Sequence, residues 1–360
     1  MPASGEMDLL AVGETMVVVT PTNPAPLSTA ATYVLRPGGA ESNVATHLAR
    51  LGHRVAWFSA VGDDPFGRII VDHLAGVGVD TSHVVTVPGA PTGVYFKHVA
   101  DGLSRMFYYR AGSAASTLGP WAAPRIAAVP ARVIHLTGIT PALSDGCADL
   151  TRGLMATRTG ESLVSFDVNF RPALWPAADA APVLREFADR ADVVFVGLDE
   201  ARDLWGAAEA ADVRRILPRP RAIVVKDGAI RATEFSVADS AAGLSEAGLS
   251  EAGLSEPGPD EARQSEAGQS AAGQSEAGQS EAARTSWHEP ALPITVVEPI
   301  GAGDAFAAGW LSGWLRGFDP PRRLALGHRV AAQVLGTTAD DVDFPDDLLA
   351  GLVSGQGGKP

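Results

Sequence analysis

Short apolar runs punctuate the chain at nearly even intervals. Residues 132–136 (RVIHL), 162–166 (SLVSF), 192–196 (DVVFV) and 221–225 (RAIVV) begin about 30 residues apart, the length of one βαβ unit. Each reads as a buried strand, and each interval is long enough for a helix. Nearer the start, residues 41–51 place Val44, Leu48 and Leu51 on one helical face, with Gly52 as the stop. Residues 66–75 place Phe66, Ile69, Ile70, His73 and Leu74 on another, and RVAWFSAVG at 54–62 between them reads as a single strand. This alternation predicts an α/β fold: a mostly parallel central sheet with helices on both faces, a three-layer sandwich.

Residues 92–110 (TGVYFKHVADGLSRMFYYR) differ. Tyr95, Lys97 and Val99 alternate with Phe96, His98 and Ala100 ahead of Asp101-Gly102, a strong hairpin turn. A small β-sheet lid is expected from about 15–36 and 90–112, attached to one domain spanning 1–360. Residues 241–283 repeat a unit close to (L/Q)-S-E-A-G and carry almost no large apolar residue. Such a segment cannot offset its own ordering entropy, so a disordered low-complexity insertion is expected there.

With 46% hydrophobic residues in 360, the chain can bury a sizeable core in one large domain or two modest ones. The net charge of −14 disfavours nucleic acid as a partner. One cysteine, Cys147, excludes an internal disulfide and reads as a small buried apolar side chain. Neither a signal peptide nor a membrane-spanning apolar run is evident, so a cytoplasmic protein without a membrane partner is expected. His47, His53 and His135 lack metal-ligand spacing and read as structural.

The chemistry concentrates at 296–315, VVEPIGAGDAFAAGWLSGWL. The pattern predicts an apolar strand, a turn at Gly301-Ala302-Gly303, then Asp304 and a helix with Phe306, Trp310 and Trp314 on its apolar side. Backbone N–H groups at such a helix start attract anions. Asp304 has two readings there: an N-terminal cap, or a general base beside a transferring phosphoryl group. The late position of the glycines disfavours a dinucleotide fingerprint, which follows the first strand.

This stretch resembles the second signature of the ribokinase-like (PfkB) carbohydrate kinases. Residues 38–67, GGAESNVATHLARLGHRVAWFSAVGDDPFG, resemble the first. Both fall in the right order at opposite ends, and the likeness covers all but 241–283 and the tail. GGAESN, TGVYF, YYRAGSAAS, TGITPALS and DVNFRPALW look most like the 2-keto-3-deoxygluconate kinases of that family. The resemblance implies an ATP-dependent, Mg²⁺-assisted transfer of the γ-phosphoryl to a sugar-acid hydroxyl. Asp304 would be the base, and Gly301, Ala302 and Gly303 the anion hole. Gly38, Gly39, Asn43, Tyr95, Tyr108, Arg110 and Arg171 would hold the sugar, the two arginines gripping its carboxylate. Asp167, Asn169, Lys226 and Gly228 would face the nucleotide. Two departures stand out. Gly197 replaces the asparagine of an N-x-x-E motif, leaving Glu200 to act on the metal through water. Glu298-Pro299 stands where many relatives have Asp-Thr. The alternatives are a kinase for a neutral sugar or nucleoside, or a non-catalytic sugar-binding protein on the same fold. Open edges on the lid strands make a homo-oligomer one expectation.

Overall fold

The structure is a computed structural model that describes residues 5–22, 26–100, 103–156, 162–237, 284–337 and 342–352. The repeat segment 241–283 and the hairpin tip Asp101-Gly102 lie outside the described residues. In chain order the first elements are β1 (Met7–Val12), β2 (Met16–Pro21), β3 (Tyr33–Gly38), α1 (Ala40–Arg50), β4 (Val55–Phe58), β5 (Ala60–Gly62) and α2 (Pro65–Gly76). There follow β6 (Val85–Val87), β7 (Val94–Ala100), β8 (Leu103–Tyr109), α3 (Ala123–Ala127), β9 (Ala131–Thr137), α4 (Asp145–Ala156), β10 (Leu163–Asp167) and α5 (Ala177–Arg190). The remainder is β11 (Val193–Gly197), α6 (Leu198–Trp205), α7 (Ala210–Ile216), β12 (Ala222–Asp227), β13 (Arg231–Val237), β14 (Arg284–Pro290), α8 (Ala302–Leu315) and α9 (Pro320–Leu335).

Eight strands form one sheet in the order β14-β13-β12-β11-β10-β9-β1-β4. The run from β4 to β12 is parallel; β13 and β14 add antiparallel strands at one edge. Period-two alternation sends successive side chains into two cores. Ile134, Phe166, Val194 and Ile223 pack with Leu150 and Leu154 of α4 and Leu184 and Phe187 of α5. Val133, Phe195 and Val224 pack with Leu48 of α1, Ile70 of α2, and Phe306 and Trp310 of α8. Helices thus cover both faces, as a buried parallel sheet requires. Local chemistry sets the starts of α2 and α9: Asp64 accepts from Gly67 N at 2.8 Å and Asp319 from Arg322 N at 3.1 Å, each followed by proline.

The segments 15–36 and 90–112 supply a second, four-stranded sheet in the order β3-β2-β7-β8. It stands at the carboxyl edge of the large sheet, because β2 follows directly from the end of β1.

Two expectations need correction. RVAWFSAVG is two strands, not one: β4 pairs with β1, whereas β5 joins β6 in a separate two-stranded ribbon. The Ser59 carbonyl between them accepts from Val85 N at 2.9 Å, which turns the chain away from β1. Nor is there a strand before the glycine-rich turn. Pro293 and Pro299 lack ladder donors, Val296 and Val297 are each 53% exposed, and Val297 N donates to Leu335 O at 2.8 Å. The segment therefore runs along the end of α9 rather than into the sheet.

Candidate active site

The chain order around β1 defines where a site can form. β1 has β4 on one side and β9 on the other, so the connections leave in opposite directions and open a crevice at the carboxyl ends. Thr137, Asp167, Gly197 and Lys226 end or nearly end their strands there. The start of α8 faces the same edge. Gly301 has φ +78°, a left-handed conformation in which glycine is unstrained. It lets the chain turn sharply enough for Ala302 to begin a helix. Lys226 Nζ lies 3.4 Å from where a Cβ on Gly303 would project, so the ammonium sits beside this turn.

Asp304, in the first turn of α8, does not cap its own helix. Its Oδ2 accepts from Asn43 Nδ2 at 2.9 Å and its Oδ1 from Asn169 Nδ2 at 3.4 Å. Two amides from distant elements therefore orient one carboxylate. Asn169 holds φ +41°, unusual for a residue with a side chain, and its N–H bonds Asp167 Oδ1 at 3.2 Å. Asp167 in turn accepts from Lys226 Nζ at 2.9 Å. The strained asparagine is thus held by a carboxylate that is itself held by an ammonium.

Burial, reinforced by the Asp167 carboxylate, pushes Asp304 up to about 7, against the opposing Asn43 hydrogen bond and the Arg171 and Lys226 charges. Burial alone would lower Lys226, but the Asp167 and Glu200 carboxylates prevail and raise it. Glu200 is raised by burial and then by Asp167. Its Oε2 accepts from Gly197 N at 2.8 Å and its Oε1 lies 3.7 Å from Arg171 Nη1. Glu200 is thereby engaged in closing the start of α6. Among the described residues no group of three or more acidic, histidine or cysteine side chains could hold a metal ion by itself.

The sugar-side expectations divide. Tyr95 is buried and lies so close to Gly38 that a Cβ there would collide with its Oη. A Cβ on Gly39 would strike the Glu14 carbonyl. Both glycines therefore serve close approach of the chain itself. Tyr108, opposite Tyr95 in the β7–β8 pair, is 43% exposed, with its ring centroid 5.4 Å from that of Tyr95. Arg171 has a half-exposed side chain and donates to Phe170 O at 3.1 Å. Arg110, expected to grip the sugar's carboxylate, is ion-paired to buried Glu14, which also accepts from Ser113 Oγ at 2.5 Å. Asn43, half-buried, donates through Nδ2 to Asp304.

Sequence reading missed Glu14 and Glu41. Glu41 is fully buried, with Oε1 accepting from Thr137 at 2.8 Å and Thr140 at 2.9 Å; burial raises it to about 7. Its place inside the first signature was the available signal. Cys147 is buried and bonds backbone carbonyls through its thiol. His53 and His135 are each lowered to about 4, chiefly by burial, which leaves them neutral near pH 7.

Compared with protein families, the chain matches the pfkB family carbohydrate kinase over residues 7–232 and 273–347. It is 32% identical to the 2-dehydro-3-deoxygluconokinase of Thermoproteus tenax, over 98% of this chain and 97% of that protein. Identity to the 2-dehydro-3-deoxygluconokinase of Bacillus subtilis is also 32%, with the same coverage. The 2-dehydro-3-deoxygalactonokinase of Haloferax volcanii is 28% identical over 98% of each chain. Among solved structures, a PfkB protein from Polaromonas sp. JS666 aligns with TM-score 0.72 and 30% identity, covering 92% of this chain and 97% of that one. A fructokinase from Xylella fastidiosa with bound ATP aligns with TM-score 0.70 at 23% identity over 94% of each chain, a likeness of fold.

Proposed function

The chain belongs to the pfkB family of carbohydrate kinases, and from that premise we propose that it moves the γ-phosphoryl of ATP to the 6-hydroxyl of 2-keto-3-deoxygluconate. The product would be 2-keto-3-deoxy-6-phosphogluconate. The observation that carries the chemistry is Asp304: a buried carboxylate at a helix start that caps nothing and is aimed by Asn43 and Asn169. As the hydroxyl oxygen attacks phosphorus, its proton passes to Asp304 and the bond to the β-phosphate oxygen breaks, releasing ADP. The N–H groups at 301–303 and the Lys226 ammonium would meet the charge that spreads over the transferring group.

Mg²⁺ would neutralise the β- and γ-phosphates of the donor. The donor set fits a metal carried in by phosphates and its own waters, with Asp167 and Glu200 as outer carboxylates, better than an all-protein cage.

A general base must be ionised to accept the proton. With Asp304 raised to about 7, kcat/KM is expected to fall as pH drops below about 7. Asn43 stabilises the charged form, so Asn43→Ala moves this acid limb to higher pH. A limb that stays in place across a pH–rate series would remove Asp304 as the titrating base.

The sugar acid is favoured by the relatives' activity and by exposed Arg171. The pairing of Arg110 with Glu14 favours a second reading, a neutral acceptor, because that guanidinium is already balanced. ADP release with ATP and Mg²⁺ against 2-keto-3-deoxygluconate, 2-keto-3-deoxygalactonate, gluconate, fructose, ribose and adenosine separates the two. Preference for the keto-deoxy acids is expected, with Arg171→Ala raising KM for them about tenfold or more and leaving neutral sugars unchanged. Preference for fructose or ribose would sink the sugar-acid assignment.

A further inference from the structure

Lys97 and Glu298 come from segments with no local reason to meet. Lys97 is in β7, on the face of the small sheet that also carries Tyr95. Glu298 lies in the irregular stretch three positions before Gly301. They form an ion pair in which both residues are almost fully buried, 6% and 4% exposed. The second carboxylate oxygen of Glu298, Oε1, is buried with no hydrogen-bond partner. Lys97 is therefore the cation that Glu298 meets among the described residues.

Stability does not explain the arrangement. A buried ion pair is commonly no better than a hydrophobic pair of similar volume, because two charges must be desolvated to make it. The location supplies a reason. The N–H groups at 301–303 attract an anion, and an uncompensated carboxylate just ahead of them would repel it strongly in a medium of low dielectric. The ammonium of Lys97 removes that repulsion, and it arrives on the small sheet. Pro299 holds its φ near one value, so little slack separates Glu298 from the turn. Two residues before Lys97, on the same face of the strand, Tyr95 lies over Gly38 at the sugar side. One strand thus touches the sugar side through Tyr95 and the phosphate side through Lys97.

We propose that Lys97 is a positioning residue for the phosphoryl donor, and that its pair with Glu298 couples seating of the small sheet to readiness of the phosphate-binding turn. This rests on the reading of residues 301–303 as the phosphate site. Binding at either end favours the same seated sheet, so acceptor and nucleotide strengthen one another's affinity, by reciprocal factors.

The test is calorimetric titration of a non-hydrolysable ATP analogue with Mg²⁺ into wild type, Lys97→Met, Glu298→Gln and the double variant. Each titration is run with and without 2-keto-3-deoxygluconate, and thermal unfolding establishes that each variant is folded. Lys97→Met leaves a buried negative charge and weakens the analogue about tenfold or more. Glu298→Gln leaves a positive charge and does not weaken it. The double variant recovers most of the loss, and serves as the test should Lys97→Met fail to fold. In all three variants the acceptor's effect on analogue affinity shrinks toward none. Equal defects in Lys97→Met and the double variant would mark a packing effect and overturn the proposal, as would wild-type affinity and coupling throughout. Failure of the wild type to bind the analogue would instead overturn the reading of the phosphate site, and this inference with it.

Discussion

Replacing Asp304 with Asn lowers kcat by about 10²–10⁴-fold, the usual worth of a positioned base, and leaves KM for ATP little changed. Asparagine keeps the size of the side chain and one of the two acceptor oxygens that meet Asn43 and Asn169, but it cannot take a proton. If Asp304 served as a helix cap, the same change would be nearly neutral, since asparagine caps about as well as aspartate. Near-normal turnover in steady-state assays would therefore return Asp304 to a structural role. Stability should move the other way. Burial raises Asp304 in the folded chain to about 7, well above its unfolded value of 3.8. The folded chain thus holds this proton more tightly. The stability it contributes is fully present below about pH 4 and is lost as pH rises through about 7. Asp304→Asn escapes that loss, so its urea midpoint at pH 8 should exceed that of the wild type. A lower midpoint would contradict the buried, ionised carboxylate.

Arg323→Met should cost about 3–5 kcal/mol of folding free energy, the largest loss expected from a single change away from the crevice. Arg323 of α9 pairs with Glu234 of β13, and both are buried. Glu234 also accepts from Trp310 Nε1 at 2.7 Å and from Ser236 Oγ at 3.0 Å. The guanidinium stands 5.0 Å above the Trp310 ring. Removing it leaves a fully buried carboxylate with two neutral donors, so most of the penalty is the stranded charge. Glu234→Gln combined with Arg323→Met should therefore recover much of the loss. Trp310 lies on α8, six positions beyond Asp304, so the network ties the helix that carries Asp304 to the core. Urea unfolding of the single and double variants decides this. A single-variant loss below about 1 kcal/mol would show that Glu234 finds other compensation.

Much of the architecture was legible because periodicity is a local property. The runs at 132–136, 162–166, 192–196 and 221–225 correspond to β9, β10, β11 and β12 within a residue or two, and α1 and α2 start and stop near their expected bounds. The misreadings share one cause. Whether VVEPI pairs with a neighbouring strand depends on where α9 ends, and whether RVAWFSAVG stays in one sheet depends on Ser59 meeting Val85. Neither partner is close in sequence.

The site divides in the same way. Asp304, Lys226 and Asn169 could be singled out because each follows a strand or opens a helix, and those junctions are visible in the pattern. Their relations could not. Asn43 and Asp304 are 261 positions apart, and only the packing of α1 against α8 brings an amide to the carboxylate. Arg110 was read as a grip for a substrate carboxylate; the fold brings the Glu14 carboxylate to it from just past the end of β1.

By itself, then, the amino-acid sequence determined the strand–helix alternation, the acidic composition, the two signatures and hence the family. These follow from the order of side chains along a few turns or strand lengths of chain. Only the tertiary structure decided that Asp304 faces two amides rather than its own helix, that Arg110 is balanced by Glu14, and that Lys97 meets Glu298. Each depends on which distant segments share a low-dielectric interior, where a charge must find its partner wherever the chain happens to bring one.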